Sequence, residues 1–170
     1  MNKKTKRMVI IGMFIALSFV GSYIKIPSPL QSIALDSMPA FLGGLTLGGG
    51  TGALVGFIGH ILTSANAGFP LSLPIHLMIA IVMSITVFSF SVTYKRINMI
   101  VAGIIGVVLN GIGAPLVISF MPQFGWGFFM SITPFLVLAS AVNVILAVLV
   151  FLPLQKSGFL KREGFDGFEK

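Results

Sequence analysis

Residues 36–76, DSMPAFLGGLTLGGGTGALVGFIGHILTSANAGFPLSLPIH, decide how this chain is read. The stretch holds Asp36, the one carboxylate before residue 163, and both histidines, His60 and His76. It is dense in glycine and includes Pro39, Pro70 and Pro74. Ser37–Leu47 is apolar but short, roughly 16 Å as a helix at about 1.5 Å per residue, against a hydrocarbon layer of about 30 Å. Gly48-Gly49-Gly50 breaks it, and a second apolar segment covers Thr51–Ser64. Asn66–Pro74, with its glycine and two prolines, reads as a loop. Whether Ser37–Ser64 crosses a membrane once or twice fixes the topology of everything after it.

The rest of the chain explains why a membrane is at issue. Hydrophobic residues make up 56% of 170 and charged residues 9%, with a mean hydropathy of +1.04. A water-soluble domain of this size needs far more charge on its surface. Ile97–Met121, interrupted only by Asn98, Asn110 and Ser119, is long enough to cross a bilayer. The class is an all-α integral membrane protein, one domain over residues 1–170. The net charge of +7 is therefore read by position and not as a nucleic-acid footprint. No cysteine is present, which excludes disulfides, thiolate metal sites and thiol chemistry.

MNKKTKR followed by Met8–Ile24 has an apolar run longer than that of a typical signal peptide and reads as a retained first span. Pro27 and Pro29 hold Ile26–Asp36 extended. Further spans follow at Leu73–Val92, Met99–Phe120 and Ser131–Leu152, with loops at Tyr94–Asn98 and Met121–Met130. Positive charge clusters at Lys3, Lys4, Lys6 and Arg7, at Lys95 and Arg96, and at Lys156, Lys161, Arg162 and Lys170. The positive-inside rule places all three clusters in the cytoplasm. An even number of crossings must then precede Lys95, so Ser37–Ser64 counts twice, as two short crossings or a re-entrant hairpin. The expected architecture is a six-helix transmembrane bundle with a short second helix shielded by protein. Both termini and the tail 154–170 are cytoplasmic.

In that topology three loops share the outer face, and they carry polar residues. Gln31 and Asp36 belong to the first, His60, Thr63, Ser64, Asn66, Ser72 and His76 to the second and its flanks, and Gln123 and Trp126 to the third. Asn110 and Asn143 fall within the last two spans. Polar groups at membrane depth are costly unless they pair or face a cavity, so these residues are expected to line a small-molecule pocket. Other readings remain beside that one. Gly48, Gly52 and Gly56 recur every four residues, as helix contacts do. GGGTGALVG lacks the Lys-Ser/Thr of a phosphate loop. Asp36 could cap the second helix, and Asn110 and Asn143 could bond to each other or to neighbouring helices. Neither HILTS nor HLMIA is H-E-x-x-H, and no G-x-S-x-G occurs, so protease and hydrolase signatures are missing. A metal site would need ligands from three separated segments, and no metal or other cofactor is expected.

The motifs ALDS-x-P (34–39), G-H-x-x-T (59–63) and G-F-P-L-S-L-P-I-H (68–76) resemble the substrate-binding S components of bacterial energy-coupling factor (ECF) vitamin transporters. The likeness extends over roughly Lys6–Pro153 and is greatest to the branch that takes up alpha-ribazole, the nucleoside used in cobalamin salvage. The resemblance implies six helices, cytoplasmic termini and a vitamin pocket near the outer face of the cell membrane. It also implies partners: a transmembrane coupling subunit and two ATPase subunits. Gly12 and Ala16, in GMFIA, match the family's small-residue face that docks on the coupling subunit. Metal-transporting members begin Met-His, whereas this chain begins Met-Asn-Lys-Lys. For alpha-ribazole the resemblance implies stacking on Trp126, an imidazole on a ring nitrogen, and Asp36 or the asparagines on ribose hydroxyls. The alternatives are another vitamin (folate, pantothenate, riboflavin or a thiamine precursor) or a membrane-embedded enzyme using His60, His76 and Asp36.

Overall fold

A computed structural model describes residues 2–29 and 33–165; Gln31 and Lys170 lie outside the described residues. α1 (Lys3–Gly21) starts where the Asn2 side chain accepts from the Thr5 amide. After the connection through Asp36 come α2 (Met38–Leu47) and α3 (Gly49–Asn66). α4 (Leu73–Arg96) begins with Pro74 in its first turn, where the missing N–H costs nothing. α5 (Met99–Ser119) is capped by Asn98, which accepts from the Val101 amide. α6 (Gly125–Lys156) and the four-residue α7 (Phe159–Arg162) complete the chain. Among the described residues there is no strand; Lys25 and Ala34 form an isolated bridge.

Three helices, α4, α5 and α6, are long and apolar enough to cross a membrane. α1 carries four basic residues in its first turns, and α3 carries His60, Ser64 and Asn66. α2 is only 10 residues long, and nine of them are buried. The protein itself therefore shields the short helix. Outward-facing Ile100, Ile104, Leu138 and Leu149 are more than half exposed, an apolar exterior of the kind lipid covers. The core lies between α2, α4 and α6, around Phe41, Leu45, Val87, Phe90 and Phe151, all fully buried.

At Gly52 and Gly56 the glycine spacing is helix contact. A Cβ on Gly52 would meet the Gly44 Cα at 2.5 Å and Val87 Cγ1 at 2.8 Å, so α2 and α3 touch backbone to backbone. The break between them is narrower than the three glycines imply. Gly48 alone, at φ 95, turns the chain, and Gly49 and Gly50 already belong to α3. The last helix starts earlier than Ser131: α6 takes in Gly125–Met130, and the loop before it shrinks to Phe120–Phe124. Gly125 and Gly127 read as loop residues in sequence but sit in a first turn, where glycine is readily accommodated. Lys6 pairs with Glu163, and Arg7 bonds the Leu47 carbonyl at 3.0 Å and Thr51 Oγ1 at 2.8 Å. These contacts bring both described ends of the chain to one end of the bundle.

Candidate functional site

α5 is not a uniform α-helix. Leu109–Gly113 winds as a π-turn, which adds one residue to the turn and shifts the later residues around the axis. The close crossing with α6 explains why Gly111 is there: a Cβ would lie 2.7 Å from the Val137 Cα. On the same turn Asn110 Nδ2 donates to Ser140 Oγ at 2.9 Å. Asn110, Ala114 and Ile118 thereby become one wall of a cavity of about 60 Å³.

The other walls come from Ile33, Asp36 and Ser37 ahead of α2, His60 on α3, and His76, Ile79 and Met83 on α4. Phe128, Ile132 and Leu136 on α6 close it. Asp36, His60, His76 and Asn110, taken from sequence as site residues, thus meet around one space. Among the described residues no lysine or arginine lines it. Burial pushes the Asp36 carboxyl from 3.8 up to about 6, with Thr63, Ser37 and Lys25 pulling more weakly the other way.

The two histidines touch. His60 Nε2 lies 3.2 Å from His76 Nδ1, and Ser64 Oγ sits 2.8 Å from His76 Nδ1 and 3.2 Å from His60 Nε2. Ser64 also donates to the His60 carbonyl at 2.8 Å. His76 is 1% exposed, and its other ring nitrogen, Nε2, has no hydrogen-bond partner among the described residues. Ser64 belongs to the polar residues that the sequence gathers beside His60, but not to those expected to touch the ligand. The signal was there, since four residues from His60 is one helical turn on the same face. Ser140 was missed because only the fold brings it to Asn110.

The remaining candidates lie elsewhere. Asn143 is buried beside the cavity and acts as a bracket: Oδ1 accepts from the Met38 amide at 2.7 Å, and Nδ2 donates to the Ala34 carbonyl at 3.2 Å and the Ala139 carbonyl at 2.9 Å. It therefore satisfies the start of α2, the role considered for Asp36, which precedes the Ser37 cap and accepts from its hydroxyl. Asn110 and Asn143 do not bond to each other. Asn66 donates to Ser22 Oγ at 3.1 Å, tying α3 to α1. Ser72, exposed at φ 83, and Gln123, also exposed, line no part of the cavity. Trp126 is 65% exposed and packs edge-on against Phe129, outside the cavity. Gly12 and Ala16 are exposed on α1, and nothing lies within 4 Å of a Cβ placed on Gly12. Among the described residues no group of three or more His, Cys, Asp or Glu could hold a metal ion.

Three comparisons bear on this geometry. Residues 6–155 match the family model of the ECF transporter substrate-specific component. A protein of Lysinibacillus sphaericus described as "Probable biotin transporter BioY" is 45% identical over 51 residues, 30% of this chain and 26% of that protein. A solved structure, described as the structure and mechanism of the S component of a bacterial ECF transporter, superposes with a TM-score of 0.62 at 21% identity. That superposition covers 94% of this chain and 99% of the other, and it establishes the likeness of fold.

Proposed function

The chain belongs to the substrate-specific components of ECF transporters, and from that premise we propose that the cavity between α3, α4, α5 and α6 receives alpha-ribazole. Members of this family are transporter components and not enzymes, so the residues of the cavity serve recognition. In this reading the protein sits in a bacterial cell membrane with six crossings and both termini cytoplasmic. It passes its ligand on through a coupling subunit and two ATPase subunits, docking by the Gly12–Ala16 face of α1.

One observation carries the substrate choice: the cavity holds a carboxyl, two imidazoles and an amide, with no cationic side chain. A vitamin bearing a carboxylate, such as biotin, would lie near Asp36 with no lysine or arginine in the lining to receive it and only the weak pull of Lys25 from outside the cavity, an unfavourable arrangement for a buried charge. A neutral nucleoside brings hydroxyls for polar atoms and a flat ring for the apolar wall around Phe128 and Ile132. The cavity of about 60 Å³ is far below the roughly 300 Å³ at which small-molecule pockets begin. The described conformation is thus a contracted one, and entry requires the Ile33–Ser37 segment or Leu71 to withdraw.

Calorimetric titration of the purified protein with alpha-ribazole and with biotin tests the proposal. Alpha-ribazole is expected to bind and biotin not to. His76→Ala should weaken binding about five- to a hundredfold, the effect of losing about 1–3 kcal/mol at a buried polar partner. Trp126→Ala, outside the cavity, should leave affinity within about twofold. Biotin binding without alpha-ribazole binding would reverse the substrate choice and leave the family untouched.

A further inference from the structure

The protons around Ser64 can be counted. Placed on the His60 carbonyl, an acceptor only, at 2.8 Å, the single Ser64 proton sets the roles of its neighbours. Ser64 Oγ then meets His76 Nδ1 at 2.8 Å as an acceptor, and the proton between them belongs to His76. That same N–H faces His60 Nε2 at 3.2 Å, which must be bare to tolerate it. A neutral imidazole has one N–H, so His76 Nε2 carries a lone pair. A second proton there would be buried with no acceptor, because this atom has no partner among the described residues.

We propose that Ser64 locks His76 in the Nδ1–H tautomer, so that the cavity presents a fixed hydrogen-bond acceptor and admits ligands that donate an O–H or N–H there. Ser64 is a positioning residue; His76 is the one that meets the ligand. By the same count His60 carries its proton on Nδ1, so the pair offers one acceptor and one donor. A nucleoside has both complements, a ribose hydroxyl for His76 and an unsubstituted ring nitrogen for His60. The ligand side of this inference rests on the cavity being the substrate site, whereas the proton assignment does not.

The test is made on the full-length protein in lipid nanodiscs with 15N-labelled histidine, using long-range proton–nitrogen correlations without ligand. His76 should show a protonated Nδ1 and a bare Nε2. Ser64→Ala removes the nearer of the two acceptors and leaves only the 3.2 Å contact with His60 Nε2, so an Nε2–H form of His76 should become populated beside the Nδ1–H form, and Ser64→Thr, which keeps the hydroxyl, should restore the wild-type pattern. An Nε2–H signal for His76 in wild type, or an unchanged tautomer in Ser64→Ala, overturns the proposal. With alpha-ribazole as probe, methylation of its ribose hydroxyls should cost at least fivefold in affinity for wild type and less for His76→Ala. Equal losses in both proteins would remove His76 as the acceptor. Absence of any alpha-ribazole binding, with the tautomer as expected, would reject the substrate assignment alone.

Discussion

Asn143→Ala gives the sharpest separation between a residue that holds the site and one that touches the ligand. The wild-type amide satisfies two groups that no helix ladder reaches, the Met38 N–H at 2.7 Å and the Ala34 carbonyl at 3.2 Å. Its third partner, the Ala139 carbonyl, keeps its place in α6. Truncation therefore orphans two groups in a region where Ala34 is 3% exposed and Asn143 itself 1%. At about 1–2 kcal/mol for each orphan, the loss is about 2–4 kcal/mol, or roughly 4–16 °C in the thermal midpoint of a chain this long. The assay is thermal unfolding of ligand-free protein in mild detergent. A residue that only contacts substrate would leave ligand-free stability unchanged. A midpoint within about 1 °C of wild type would refute the bracket. Because Ala34 and Asp36 lie on the segment it holds, affinity should fall in the same variant.

Two further outcomes are expected from residues outside the histidine pair. Gly12→Leu with Ala16→Leu should abolish co-purification with the coupling subunit while leaving ligand affinity intact, since both positions are exposed on α1; loss of both activities together would indicate misfolding and withdraw the docking face. Asp36→Asn should raise the thermal midpoint near neutral pH but not near pH 4. The folded-state value of about 6 lies above the ordinary 3.8, so the folded protein favours the protonated acid. That preference stabilises the fold below about pH 4 and is lost as pH rises through 6, a difference of about 3 kcal/mol. Equal midpoints for wild type and variant at both pH values would contradict it.

Much of the helical layout was legible because apolar length and charge clusters are properties of sequence alone. The Gly52 contact was legible too, since small residues four apart share a face. The errors came from residues whose meaning depends on a neighbour. Gly125 and Gly127 are loop formers in isolation but begin α6, and this moved Trp126 from a loop onto the part of that helix outside the cavity. Asp36 resembles a helix cap in sequence, yet the α2 amide is met from 105 residues away by Asn143. His60 and His76 were placed at one depth by topology. Their 3.2 Å approach through Ser64 depends on how α3 and α4 rotate, and no local pattern records that.

The π-turn in α5 has a consequence for how this stretch tolerates change in length. A residue deleted between Leu109 and Gly113 would let the ladder close as an ordinary α-helix, with hydropathy hardly altered and the span still long enough for a bilayer. Everything downstream would keep its phase, because the wide turn already absorbs one residue within a single rotation, and Ala114 and Ile118 would stay at the cavity wall. A residue deleted from α5 just outside this turn would instead rephase the later residues by about 100° and swing Ala114 and Ile118 towards the periphery. Such a deletion is silent to any test of membrane insertion and destroys the binding chamber. In this helix the spacing is the information, and the identities of the apolar residues are secondary to it.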